Sequence, residues 1–487
     1  MRRRNPDVLS QQMIDGCIDF FFNKMYPTMP ILHKASLQEK VAREMDQSVE
    51  PYCLITSLCA FMMIQPGMSL PGRPPGVSTD DSDDLVAGKF TTATRLLEEV
   101  LRLRKTIDYV ENPTLETVQT SLFLFACYFG LDQHNKAWYH LREATTLAQI
   151  VGMQEEPNYL HGDSVDSIMK RRLYWLLFIT ERAYALQRHR PLTLHATIEL
   201  PDLNENPGDQ LVINGFLHMI NLFRPFDDTF IGLWNKARND CSTAWLAQLQ
   251  QQLSDVLPSN PNSTPTQAAD IVTSQQWLRT MVWQLSITNG YLSSTSSDSS
   301  MTFKYPIEIA KDLMADVSKL PQQALEVHGI GLIEKLFDVA CTVSDVIAYV
   351  PLDSSIFEIG PSEYLNQFLC LISKLRGGSS RFLPLLLAKI SEDVPGMTTP
   401  ISRALVPIKP ENDDEPPSPY STQSAPLHRL PPLVMPTLSP SISNPDLFFS
   451  TRSPFGSDPS TPLGTPTIAR PVPPRSVSQI RFDCRYG

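Results

Sequence analysis

The segment KRRLYWLLFITER, residues 170–182, carries the clearest indication of the fold class. Its large apolar residues lack the two-residue alternation of a half-buried strand, and Leu173, Leu176, Trp175 and Phe178 are spread around a helical period. A helix that is apolar on almost every side is buried in a core rather than laid on a surface. The stretch therefore predicts a helix at the centre of a helical domain.

Helical periodicity recurs through residues 8–394, and only Ile198–Asp202 is interpreted as extended. Ser36 and Glu39 have the spacing of a capping box. The sequence predicts an all-α fold with one large multi-helix domain at 8–394. Flexible loops are expected at about 66–84, 258–265 and 293–300. The predicted helices are 52–64, 85–103, 114–130, 135–151, 166–188, 208–224, 229–257, 266–292, 306–320, 323–350 and 361–376.

The composition changes abruptly near Met397. Residues 395–487 hold 20 of the 42 prolines and many Ser and Thr residues. Such a segment cannot bury enough apolar surface to offset the entropy lost on ordering. We therefore expect a disordered start at 1–7, the helical domain, and a disordered Pro/Ser/Thr-rich tail at 395–487.

Charge and cysteine spacing exclude several classes of site. The formal net charge is −11, whereas proteins that bind DNA phosphates are usually basic, and the sequence opens with only a short basic run, Arg2–Arg4. The eight cysteines include no pair separated by about two to four residues, the spacing of a zinc site. No apolar run is long enough to span a bilayer. We expect no cofactor, no metal and no membrane partner for this chain.

Three segments resemble the regulatory, or middle homology, domain of fungal-specific zinc-cluster transcription factors. The opening resembles that family's first motif through Pro27, Pro30 and His33, and Trp138 lies in a helix similar to a second motif. In that helix Glu143 and Gln149 depart from the family pattern. The third motif has the form RR-x-x-W-x-x-F-x-x-(D/E)-R…G-R-P, with His189 in place of the glycine. The residues that fit it are Arg171, Arg172, Trp175, Phe178, Glu181, Arg182, Arg190 and Pro191.

Within that family, the opening and residues 284–294 (QLSITNGYLSS) most resemble activators of starch- and maltose-degrading genes. The resemblance implies a nuclear transcription activator, with coactivators or other transcription machinery as partners and a sugar as a possible inducer. The family's six-cysteine zinc cluster has no counterpart here. Zinc and promoter DNA are therefore expected only through an N-terminal domain in a longer version, preceding Met1.

The motif around residues 171–191 is interpreted as mostly structural. Trp175 and Phe178 would be core residues, and Glu181 and Arg182 would pair with neighbouring helices. The alternative is that Arg172 or Arg182 reaches a small anionic or sugar-like effector.

The sequence is also compared with two other classes of protein, a helical scaffold and an enzyme. A non-DNA-binding helical scaffold that shares the fold stays open. A terpene-synthase-like enzyme would need magnesium-binding aspartates such as Asp227 and Asp228 or the acidic run 80–84. The second motif of that family is incomplete, because Ala247 stands where Glu is required. We therefore expect no enzymatic activity.

The tail carries two kinds of candidate site. Proline-directed phosphorylation is expected at Ser418, Ser439, Ser453, Thr461 and Thr465, each of which precedes proline. The cluster Asp446, Leu447, Phe448 and Phe449 sets apolar side chains beside an acid. Short segments of this kind can fold as a helix into a coactivator groove.

Overall fold

The computed structural model describes residues 9–68, 83–159, 165–205, 208–258, 262–350 and 360–394. This part of the chain contains sixteen α-helices and no β-strand, which confirms the all-α prediction. The first eight helices are α1 Gln11–Phe20, α2 Lys34–Glu39, α3 Val49–Met63, α4 Asp83–Arg104, α5 Leu115–Gly130, α6 His134–Ile150, α7 Val165–Arg188 and α8 Gln210–Phe223. The second eight are α9 Asp228–Trp234, α10 Thr243–Asp255, α11 Pro265–Thr288, α12 Tyr305–Val317, α13 Gln322–Glu326, α14 Gly329–Tyr349, α15 Pro361–Lys374 and α16 Leu383–Asp393.

Three of these helices are buried on almost every side. α3 contains an unbroken buried run from Pro51 to Met63 and packs against α1, α4 and α5. α7 contacts α5, α6, α8 and α9, and α11 contacts α8, α10, α12 and α14. The fold is therefore built around α3, α7 and α11, and the outer helices are amphipathic covers.

Local sequence explains where several helices begin and end. Thr114 caps α5, and its capping-box partner is Thr117; Thr264 and Gln267 form the same motif at α11. Gly152, after α6, has φ of 76°, a left-handed conformation that glycine adopts without a steric penalty. This agrees with the usual place of glycine beyond a helix C-terminus.

Several predicted boundaries are wrong. The predicted helix 229–257 is two helices, because Lys236 adopts a left-handed φ of 58° and Ser242 caps a new start. The predicted helix 323–350 divides into α13 and α14 at Gly329, whose φ is 56°. The predicted capping box at Ser36 and Glu39 does not form.

At α2 the cap is His33 instead. Its Nδ1 atom accepts a hydrogen bond from the Ser36 backbone N–H at 3.3 Å. Glu39 is the last residue of this short helix, so it cannot return to the N-cap. Helix α16 was not anticipated, and the predicted helix 266–292 ends at Thr288.

Residues 1–7, most of the predicted loop 66–84 and the predicted tail 395–487 lie outside the described residues. None of the helices in the described ranges has the length and apolar character needed to cross a membrane.

Candidate functional site

One face of α7 holds the irregular segment 189–205 against the core. The indole N–H of Trp175, which is 1% exposed, donates to the Glu199 carbonyl at 2.9 Å. The Tyr174 hydroxyl donates to the His195 carbonyl at 2.8 Å. Because the segment forms no strand, these side-chain bonds satisfy backbone groups that a sheet would otherwise pair.

Glu181 and Arg182 anchor the same segment at its start. The fully buried Glu181 carboxylate accepts hydrogen bonds from the backbone N–H groups of Thr193 and Leu194, both at 2.9 Å. The Arg182 guanidinium donates to the Leu194 carbonyl at 3.1 Å, and it lies 3.3 Å from the centroid of the Phe178 ring. The Glu181 carboxylate and the Arg182 guanidinium, which packs on the Phe178 ring, therefore hold the backbone at Thr193 and Leu194 in place.

The two adjacent arginines of the motif are both paired. Arg171 makes a two-point contact with the Glu156 carboxylate at 2.7 and 3.0 Å. The Arg172 side chain, 1% exposed, donates to Asp209 at 3.2 Å and to Glu205 at 3.3 Å. These bonds tie α7 to the loop before α8.

The end of the motif has a less ordinary geometry. His189, where the family has glycine, adopts a left-handed φ of 52° and stacks on the Trp234 ring at 5.5 Å. Arg190 places its guanidinium 5.3 Å from the Trp138 ring, and Pro191 is exposed. The stacking on Trp234 helps to hold a backbone conformation that a side chain disfavours.

The opening motif is also engaged in packing. Pro30 is buried, and the Pro27 carbonyl accepts a hydrogen bond from the Gln267 side chain at 2.8 Å. The remaining candidate residues, Ser418, Ser439, Ser453, Thr461, Thr465, Asp446, Leu447, Phe448 and Phe449, lie outside the described residues.

The opposite face of α7 lines a cavity of about 870 Å³. Leu176, Ile179, Ala183 and Gln187 follow one another at helical spacing along this face. The volume lies within the range of small-molecule sites in proteins. None of the motif residues, including Arg172 and Arg182, lines this cavity.

Aromatic side chains form one wall. Phe125 and Phe129 stand one turn apart on α5 with ring centroids 5.9 Å apart, and Tyr184 meets Phe125 edge to face at 5.6 Å. Tyr184 in turn stacks on Trp138 at 5.8 Å. These contacts fix the orientation of the rings that face the cavity.

Another part of the lining is polar, and we call Asp270, His328 and Lys335 the polar cluster. Lys335 donates to Asp270 Oδ1 at 2.9 Å and to the Ser274 hydroxyl at 2.7 Å. His328 lies with Nε2 2.8 Å from the Thr266 carbonyl, which makes Nε2 the donor.

The protonation states of the polar cluster follow from burial and charge. Burial alone would raise the pKa of Asp270, but Lys335, His328 and the bond from Ser274 lower it to about 2. Burial lowers the pKa of His328 below its ordinary value, partly offset by Asp270. At neutral pH the cluster therefore holds one carboxylate, one ammonium and a neutral imidazole.

Further cations line other parts of the cavity. Arg381 donates to Asp132 at 2.7 Å, which joins the turn after α5 to the residues before α16. Lys89 donates to the Met68 carbonyl at 3.0 Å, and Arg376 also contributes to the lining. We call Lys89, Arg376 and Arg381 the rim cations.

No sequence motif marks the polar cluster, because its members are far apart in the chain and show no recognisable spacing. The available signal was weaker. Asp270 interrupts the short apolar stretch 268–272, and a charged residue in such a position is rarely buried without a partner.

Asp227, one of the acidic candidates for metal-dependent chemistry, has a structural role, and residues 80–82 of the acidic run lie outside the described residues. Asp227 accepts hydrogen bonds from the backbone N–H groups of Thr229 at 2.9 Å and Phe230 at 3.1 Å, so it caps α9. In the ranges that the structure describes, no three His, Cys, Asp or Glu side chains are grouped to hold a metal ion.

The chain is similar in sequence to several known fungal proteins. Residues 18–256 match the fungal specific transcription factor domain. A probable sucrose utilization protein of Candida albicans is 26% identical over 368 residues, 74% of this chain and 69% of the relative. A maltose fermentation regulatory protein of Saccharomyces cerevisiae is 24% identical over 341 residues, 69% of this chain and 68% of the relative. A respiratory transcription factor of the same yeast is 24% identical over 337 residues, also 69% of each.

These similarities bear out the resemblance carried by the three motifs, and they indicate a regulator rather than an enzyme. Residues 18–256 therefore resemble a fungal specific transcription factor domain, and the relatives support a transcription regulator role for the chain.

Proposed function

We propose that this chain is the regulatory and activating part of a nuclear transcription activator of sugar-utilization genes, such as those for starch or maltose breakdown. Relatives named for sucrose utilization and for maltose fermentation support the sugar assignment. The net charge of −11 disfavours phosphate contact by the chain itself. Promoter contact is therefore assigned to a zinc-cluster domain joined to it, and contact with the transcription machinery to the sequence after Met397.

The observation that carries a sensing role is the cavity of about 870 Å³ beside α7. One face of α7 lines the cavity. On another face, Trp175 and Glu181 form hydrogen bonds with the backbone of 189–205. If α7 can occupy two positions, a ligand that binds one of them more tightly increases the population of that position. The size of the shift is set by the difference in the ligand's affinity for the two positions. A small inducer in the cavity can in this way change the surface formed by 189–205.

A transcription reporter tests this function. The chain is fused to an unrelated DNA-binding domain, and reporter output is measured with and without maltose and sucrose. We expect sugar-dependent output, and we expect Ala126→Trp, which fills the cavity from α5, to abolish the dependence. Ala315→Trp on an exposed face of α12 is the matched control and should respond like the parent fusion.

The alternative of a helical scaffold predicts a different result. A scaffold would give a silent fusion under every sugar, although the protein is present at normal levels. A response that survives Ala126→Trp would also contradict the cavity as the sensing site. Circular dichroism of the purified variants shows whether the larger side chain merely disrupts folding.

A further inference from the structure

The polar cluster keeps hydrogen-bonding capacity that protein groups do not use. Both hydrogen bonds to the Asp270 carboxylate, from Lys335 and from Ser274, fall on Oδ1. His328 Nδ1 lies 3.8 Å from Oδ2, beyond hydrogen-bond distance. In the described part of the chain, Oδ2 of Asp270 therefore has room for a donor from a ligand.

Lys335 is in the complementary position. An ammonium group has three N–H donors, and two of them are used by Asp270 and Ser274. The Lys335 side chain is 10% exposed and that of Asp270 is 21% exposed, and both line the cavity. The acceptor and the donor thus belong to one ion pair whose two side chains line the same cavity.

The charges of the cluster cancel. Asp270 and Lys335 contribute one unit of each sign, and burial keeps the His328 imidazole neutral. A ligand with a full charge would leave an uncompensated charge beside this neutral and largely buried cluster, which is costly. A neutral group that both donates and accepts, such as a hydroxyl, satisfies both partners.

Another part of the cavity lining is aromatic, and we call Phe125, Phe129 and Tyr184 the aromatic wall. Phe125, Phe129 and Tyr184 are held rigidly by contacts with one another. Flat aromatic faces pack well against the C–H faces of a sugar ring, while buried polar groups fix the direction of its hydroxyls. The polar cluster comes from beyond residue 256, outside the family-matched segment, whereas the aromatic wall lies inside it.

We infer that Asp270 and Lys335 are the specificity-determining residues of the cavity and that they bind adjacent hydroxyl groups of a neutral saccharide. One hydroxyl donates to Asp270 Oδ2, and a neighbouring hydroxyl accepts from the free N–H of Lys335. This inference rests on the proposed function, because that function makes the cavity a sugar site.

The rim cations favour a different ligand, a sugar phosphate. Arg381 is already paired with Asp132, and Lys89 with a backbone carbonyl. Since Asp132 offsets the charge of Arg381 and the Met68 carbonyl occupies one donor of Lys89, the neutral cluster decides the ligand class. The competing ligand is one arm of the test.

The test is isothermal titration calorimetry on the full chain with maltose, sucrose and sucrose 6-phosphate. We expect a free disaccharide to bind more tightly than the phosphate. The double variant Asp270→Asn with Lys335→Gln leaves no buried charge unpaired, and it should weaken disaccharide binding about 10- to 100-fold. Asp312→Asn, which alters another ion pair of α11 away from the cavity, is the matched control and should bind normally.

Three results would overturn the inference: tighter binding of the phosphate, unchanged binding by a folded double variant, or no disaccharide binding by the wild type. Thermal melting of each variant shows that it is folded. The reporter separates the two claims. If Ala126→Trp abolishes the sugar response while the double variant leaves it intact, the proposed function stands and the role of Asp270 and Lys335 is wrong.

Discussion

Glu181 Oε2 accepts a hydrogen bond from the Leu194 backbone N–H at 2.9 Å, across thirteen residues of chain. The Glu181 side chain has no exposed surface. A buried carboxylate is retained only where donors surround it, and here the donors are backbone groups of an irregular segment. The acid of the family motif is therefore the group that shapes the chain after α7.

Removal of that carboxylate should be costly. Glu181→Ala leaves the N–H groups of Thr193 and Leu194 without their acceptor, and we expect a loss of about 2–5 kcal/mol in the free energy of unfolding. Urea denaturation measures it, with the exposed Glu363→Ala as control. Equal stability of the two variants would show that water or other groups replace the carboxylate.

Trp175 tests the core role of the same helix. Trp175→Ala removes a large buried ring and the bond to the Glu199 carbonyl, so we expect a loss of about 3–5 kcal/mol. Folding and inducer response should be lost together. Trp175→Phe, which keeps most of the ring volume, should cost less. A variant that stays fully stable yet fails to respond would point to a ligand site at Trp175.

The general architecture was predictable because it depends on local apolar periodicity. The helix at 166–188 matches α7 at Val165–Arg188 to within one residue at its start, since its apolar residues leave no alternative period. The break between α9 and α10 was not predictable in this way. No proline or glycine occurs in Asn235–Cys241, and the turn depends on a left-handed Lys236.

The cavity could not be predicted from the sequence, for a different reason. Its walls combine segments from residue 25 to residue 381, which only the tertiary fold brings together. The alternative that Arg172 or Arg182 meets an effector followed from the motif's charge. The structure shows both guanidinium groups bound to protein partners, and neither residue lines the cavity.

Asp338 gives the protein a specific dependence on pH. Burial, with Glu334 one turn earlier, raises the pKa of Asp338 to about 7, while its carboxylate accepts a bond from Trp277 at 2.9 Å. In the unfolded chain the same group has a pKa near 4. Between these values the native state holds more protons than the unfolded state, so stability falls as pH rises from about 4 to about 7.

Asp338→Asn keeps an acceptor for the Trp277 N–H and removes the titration. We expect the difference in stability between variant and wild type to shift in favour of the variant as pH rises through this window, and to level off above it. Denaturation at a series of pH values measures the difference. A difference that stays constant with pH would show that Asp338 is ionised throughout.

The sequence after Met397 should act separately from the helical domain. Fused to an unrelated DNA-binding domain, residues 397–487 should activate a reporter, and Phe448→Ala with Phe449→Ala should weaken it. Truncation to 1–396 should leave the melting temperature nearly unchanged, because a Pro/Ser/Thr-rich segment adds little to a core. A silent fusion together with a melting temperature several degrees lower would assign this sequence to the fold instead.

The most direct test of the sugar-binding cavity is hydrogen–deuterium exchange on the full chain with and without saturating maltose or sucrose. We predict slower exchange in 122–132, 176–187 and 328–335, whose backbones surround the cavity. Unchanged exchange in all three segments at saturating sugar would contradict the account, as would protection confined to the segment around Glu205 and Asp209 that pairs with Arg172.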